Sequence, residues 1–150
     1  MARAPFQVLV IPYRHTGHHV EYAVFRRADD GAWQGIAGGG ENDETPRDAA
    51  VREMCEEAGI TTTHTLLRLG SVGAIGVQHI RDRDSWDPAL QEIPEYAFGV
   101  DVDGSELSLS SEHCEIAWLT FDEALVRLAW ESNRTALREL HGRFSAVFEL

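Results

Sequence analysis

The chain has 150 residues, 43% apolar and 25% charged, and carries a formal net charge of −12. That length suits one compact unit, expected as a single domain over residues 1–150, and the composition is that of an ordinary soluble globular protein. The acid excess excludes duplex nucleic acid as a natural partner, because affinity for phosphate backbones comes largely from Lys and Arg. It also means that a small phosphorylated substrate must be received through a cation.

The start, MARAPFQVLVIPYRHTG, passes directly into a strand-like pattern without a signal peptide's apolar core. No run of about 18 apolar residues offers a membrane span. A cytoplasmic protein is the simplest expectation. Phe6–Tyr13 reads as a buried strand and His18–Arg26 as its neighbour, with residues 14–17 as the turn. Gly31–Gly40 reads as a loop carrying Trp33, Gln34 and three successive glycines. Thr45–Ala58 is the clearest helix. Thr45 is a natural N-cap, Pro46 fits the first helical position, Asp48 favours the positive end of the dipole, and Gly59 ends the helix.

Leu66–Ile80 and Glu95–Val102 are expected strands on either side of a polar loop around residues 81–84. Glu115–Leu119 is a short strand, and Asp122–Trp130 and Arg134–His141 are helical. Strands around one early helix, with helices at the end, predict a layered α/β fold. Cys55 and Cys114 are too few for a disulfide framework, and Cys55 reads as a free thiol on a helix.

On the Thr45–Ala58 helix each residue turns about 100°. With Glu53 at zero, Glu57 falls near +40° and Glu56 near −60°, so three carboxylates share about one helical turn. Val51, Met54 and Ala58 lie on another side and can pack on a sheet. Glu53 and Glu57 are like charges at i,i+4, which costs a few tenths of a kcal/mol without a cation. Hard divalent ions favour such oxygen donors, so Mg²⁺ is the expected cofactor, with Mn²⁺ as an alternative. Arg52 can orient these acids by pairing with Glu56 or with Glu44. Gly38–Gly40 let the backbone approach a ligand closely. An isolated acidic helix face is usually just solvated; here the complete spacing argues otherwise.

Gly38, five residues, Glu44, seven residues, Arg52-Glu53-Met54, one residue, Glu56-Glu57, one residue, Gly59-Ile60 fills every position of the pattern G-x5-E-x7-R-E-U-x-E-E-x-G-U, where U is apolar. This stretch resembles the signature of the Nudix hydrolases. The resemblance implies an α/β/α sandwich with a mixed central sheet, in which the signature forms a loop–helix–loop. It implies hydrolysis of a pyrophosphate bond in a nucleoside-diphosphate-linked substrate. It further implies metal binding by Glu53, Glu56 and Glu57, support from Arg52 and Glu44, and a metal-binding carbonyl near Gly38. Asp43 departs from the glycine that many members have before the first Glu.

WQGIAGG, SEHCEIAWLTFDEAL and WESNRTALREL are similar to the dihydroneopterin triphosphate pyrophosphohydrolase branch. In that branch a loop Glu before the final strand completes the metal site or acts as base, which points to Glu112, with Glu115 as the fallback. Trp33 and Tyr96 are candidates to stack on a base or pterin ring, although aromatics in such positions more often fill core. Arg26, Arg27 and Gln34 are candidates for phosphate or ring edges. Arg134 reads equally as a helix ion pair, and His15, His18 and His19 as a polar hairpin cluster.

The expected reaction is in-line attack of water, its proton taken by a carboxylate, with no covalent enzyme intermediate. The expected partner is a phosphorylated small molecule, a nucleotide or pterin triphosphate. Rival substrates are (d)NTPs, dinucleoside polyphosphates and nucleotide sugars. A silent nucleotide-sensing module would usually lack one of the acids that are all present here. Oligomeric state has no signature in the sequence.

Overall fold

The computed structural model describes residues 2–81 and 83–148, with side chains to residue 144. Strand β1 (Arg3–Thr16) turns through Gly17 into β2 (His19–Arg27), and the short β3 (Trp33–Gln34) and β4 (Ile36–Glu41) follow. Helix α1 (Pro46–Ala58) leads to β5 (Leu67–Gly76), a 3-10 turn at Val77–His79, β6 (Glu92–Asp101) and β7 (His113–Leu119). Helices α2 (Phe121–Arg127) and α3 (Glu131–Phe148) end the fold.

Among the described residues the strands form one mixed sheet with a central path β3-β2-β1-β6-β5. β1 runs parallel to β6 and antiparallel to β2 and β4, which share its other edge. Its unbroken apolar run reflects coverage on both faces. Val8 and Val10 face α1 with Ala49, Ala50, Met54, Phe98 and Val100. Leu9, Ile11 and Tyr13 face α2 and α3 with Ala124, Leu137 and Leu140. Each large side chain buried this way contributes about 1.5–3 kcal/mol. The result is the α/β/α sandwich expected from the sequence.

Several boundaries differ from the sequence reading. Residues 31–40 are not a plain loop, because Gly38 pairs with Val8 and Gly39 with Gln7 in β4. Main-chain pairing makes this strand, and glycines leave no side-chain pattern to reveal it. β1 extends to Thr16, so the turn is confined to Gly17-His18. β5 stops at Gly76, and the next three residues form the 3-10 turn. α2 stops at Arg127 instead of reaching Trp130, because Leu128 is extended and Ala129 donates to the Trp33 carbonyl at 3.0 Å. α3 begins three residues early, at Glu131. Among the described residues no helix is long and apolar enough to cross a membrane.

Candidate active site

The helix that carries the acids is held firmly at both ends. Thr45 Oγ1 accepts the Asp48 N–H at 3.1 Å, and Asp48 Oδ2 accepts the Thr45 N–H at 3.1 Å, a reciprocal capping box. Gly59 takes the left-handed conformation, φ 68°, and donates to the Cys55 carbonyl at 3.0 Å. Between these caps Ala49, Ala50, Met54 and Ala58 pack against the sheet. Glu53 and Glu57 flank that apolar stripe and are buried with it, whereas Glu56 is exposed.

Arg52 organises the surroundings. Its Nε and Nη2 donate to the two Glu44 oxygens, each at 2.9 Å, and Nη2 also donates to the Gly39 carbonyl at 2.7 Å. Nη1 reaches Glu53 Oε1 at 2.8 Å and Glu56 Oε2 at 3.3 Å. One planar guanidinium thus ties loop, strand and helix together, as its forked donors allow. The Arg52 guanidinium holds the Glu44 carboxyl below the usual carboxylate range. Glu44 Oε1 also accepts the Glu41 N–H at 2.8 Å. Gly38 lies directly against Glu53; a Cβ at residue 38 would overlap that carboxylate.

Glu57 is the unusual member. Its side chain is 2% exposed, and neither carboxylate oxygen receives a hydrogen bond. Glu53 and Glu112 stand beside it, so burial first, and then these two neighbours, push its pKa up to about 11. His113 Nδ1, also buried and unpartnered, lies 3.8 Å from Glu57 Oε1. Burial lowers the His113 pKa against the opposing pull of Glu112. Leaving carboxylate oxygens orphaned inside a protein is costly unless a cation completes them.

Glu53, Glu57 and Glu112 therefore fit a divalent cation by donor type and by the buried, unpartnered oxygens of Glu57. Among the described residues no three His, Cys, Asp or Glu side chains already converge on one point.

The other sequence-derived candidates are dispersed. Gln34 is buried between Trp130 and His113. Trp33 lies under Arg127, whose guanidinium is 5.0 Å from the ring centroid. Tyr96 packs against Phe6 on the α1 side and lies under Arg68 at 4.7 Å. Arg27 makes a two-pronged contact with Asp29, at 2.9 and 2.6 Å. Arg26 faces Glu115 across a strand pair, at 3.8 Å. Arg134 bonds Glu131 and the Leu128 carbonyl. His19 bonds Thr16 and His15 leans on Phe144. Both cysteines are free.

His113 and Asn133 escaped the sequence reading. Asn133 is buried and accepts the Gly35 N–H at 2.9 Å. His113 sits one residue after Glu112 in SEHCE, and the register shift where it pairs with Arg27 takes it out of the alternation of β7 and sets it against Phe25, which no pattern in the sequence marks.

A sheet between helices, with carboxylates gathered around an Arg-braced helix, defines the loop–helix–loop site of a hydrolase acting on phosphoric anhydrides. The NUDIX domain family matches residues 5–140, and the chain belongs to the Nudix family. It is 26% identical over 136 residues to the dihydroneopterin triphosphate diphosphatase of Haemophilus influenzae, covering 88% of this chain and 84% of that one. A crystallised Listeria monocytogenes protein described as a NUDIX hydrolase superposes with a TM-score of 0.85 and 36% identity, covering 95% and 96% of the two chains. The E. coli dihydroneopterin triphosphate pyrophosphohydrolase superposes at 0.75 with 26% identity, covering 91% and 94%. Hydrolases of this family generally use divalent cations.

Proposed function

We propose that this Nudix hydrolase, acting as one unit over residues 1–150, converts dihydroneopterin triphosphate to the monophosphate and pyrophosphate, with Mg²⁺ as cofactor and Mn²⁺ as a substitute. The observation that carries the metal reading is Glu57, an orphaned buried carboxylate between two others. The similarity to the two dihydroneopterin triphosphate enzymes supports the substrate.

In this reading Glu53, Glu56, Glu57 and Glu112 hold the cation, with Glu56 at the exposed rim and the carbonyl near Gly38 alongside. When bound, the cation supplies positive charge toward the polyphosphate and Lewis acidity toward water. Arg52 keeps Glu53 and Glu44 in a fixed plane, so the site does not reorganise as charge develops on phosphorus. A carboxylate oxygen of this set that the cation does not engage accepts the proton of the attacking water. The substrate's own negative charge opposes that of the chain, which makes the cation a condition of binding and not only of chemistry.

A substrate panel with Mg²⁺ or Mn²⁺ tests this. Pyrophosphate should appear from dihydroneopterin triphosphate, with far less from (d)NTPs, dinucleoside polyphosphates or nucleotide sugars. Faster release of nucleoside monophosphate from an ordinary nucleotide would replace the pterin reading.

A further inference from the structure

We infer that His113 is a positioning residue whose Nδ1–H is aimed at Glu57 by a one-way chain of hydrogen-bond donors beginning at Trp130. The chain can be followed atom by atom. An indole Nε1–H can only donate. That of Trp130 lies 3.3 Å from Gln34 Oε1, which fixes the amide with its oxygen toward the indole and its NH₂ toward His113. Gln34 Nε2 is 3.3 Å from His113 Nε2. An amide NH₂ cannot accept, so His113 Nε2 must offer its lone pair, and the single proton of the neutral ring falls on Nδ1.

Nδ1 faces Glu57 Oε1 across 3.8 Å. Both atoms are buried, and neither has another partner. The gap is about 0.8 Å wider than a typical hydrogen bond, so an approach of that size would close it and fix the plane of the carboxylate. Ligating groups are commonly oriented by such outer partners, whose loss weakens metal binding about ten- to hundredfold. The chain reaches Glu57 from three separate places: the segment between α2 and α3, strand β3 and the start of β7. It couples the docking of the C-terminal helices to the geometry of the acid, and it gives the buried Gln34 a role distinct from touching substrate. The inference rests on Glu57 being a cation-holding carboxylate.

The first test is a nitrogen NMR spectrum of ¹⁵N-histidine-labelled, metal-free protein. It should show a pyrrole-type nitrogen at Nδ1 of His113 and a pyridine-type nitrogen at Nε2. Trp130→Phe, at a partly exposed position, should fold and yield a mixture of tautomers. Calorimetric titration of the metal-free proteins with Mn²⁺ is the second readout. Affinity should fall about ten- to hundredfold in His113→Ala and His113→Gln. In His113→Asn the side-chain amide stands near the Nδ1 position, so most of the affinity should return.

An Nε2–H tautomer in the wild type would overturn the inference. So would a Trp130→Phe protein with unchanged spectrum and affinity, or His113→Asn as weak as His113→Ala. An Nδ1–H signal in a wild type that binds no Mn²⁺ would support the donor chain and overturn the metal reading it serves.

Discussion

Glu57→Gln separates the thermodynamic burden of the buried acid from its role in catalysis. In metal-free protein burial, with Glu53 and Glu112 alongside, pushes the Glu57 pKa up to about 11 from an ordinary 4.5. A folded value above the unfolded one means that the stability contribution is complete below pH 4.5 and is lost as pH rises toward 11. Between pH 4.5 and 7.5 the unfolded chain releases this proton while the folded chain keeps it. Stability therefore falls by about 1.4 kcal/mol per pH unit, or about 4 kcal/mol over three units. Glutamine has nearly the same shape and no proton to lose, so Glu57→Gln should escape this slope.

At 2–4 °C per kcal/mol for a chain of this size, the variant should melt up to about 8–16 °C above wild type at pH 7.5 in EDTA, and close to it near pH 5. Mg²⁺ at a hundredfold its dissociation constant should restore about 2.7 kcal/mol to wild type and almost nothing to the variant. Turnover of the variant should drop by orders of magnitude. Thermal denaturation at the two pH values, with EDTA or Mg²⁺, reads all of this. A wild-type melting temperature in EDTA that follows the same pH course as the variant's would refute the reasoning.

Three further outcomes follow from the geometry. Gly38→Ala places a methyl group on the Glu53 carboxylate; Mn²⁺ affinity measured by calorimetry should weaken about tenfold or more while stability drops by only about 1–2 kcal/mol. Arg52→Lys cannot grip both Glu44 oxygens and still reach the Gly39 carbonyl, so steady-state assays should show turnover down about ten- to hundredfold with the circular dichroism spectrum unchanged. Thr45→Ala removes half of the capping box, which should cost about 1 kcal/mol in denaturant unfolding and leave turnover within a few fold.

The signature helix was legible because its information is local. Thr45, Pro46, Asp48 and Gly59 mark its ends by their own capping chemistry, and the roughly 100° step places Glu53 and Glu57 on one stripe. Arg52 was legible as a partner of Glu44 for the same reason. Strand β4 was hidden because Gly38 to Gly40 carry no hydropathic pattern, and their strand character comes from pairing with Val8 and Gln7. Trp33 and Tyr96 were ambiguous in sequence; the fold packs the first under Arg127 and the second among Phe6 and Arg68.

Local spacing by itself determined which residues can share a helix face, how that helix is capped, and that its acids call for a cation. Distances across the fold were decided only when the sheet closed. Glu112 and His113 lie more than 50 positions from Glu57, and the pairing of β7 with β2 brings the start of that strand to Glu57, with His113 Nδ1 at 3.8 Å from its Oε1. Side chains so far apart along the chain meet through strand register and core packing, which depend on every element at once. Spacing in the sequence therefore named the acids, and burial among partners from distant segments made one of them unlike the rest.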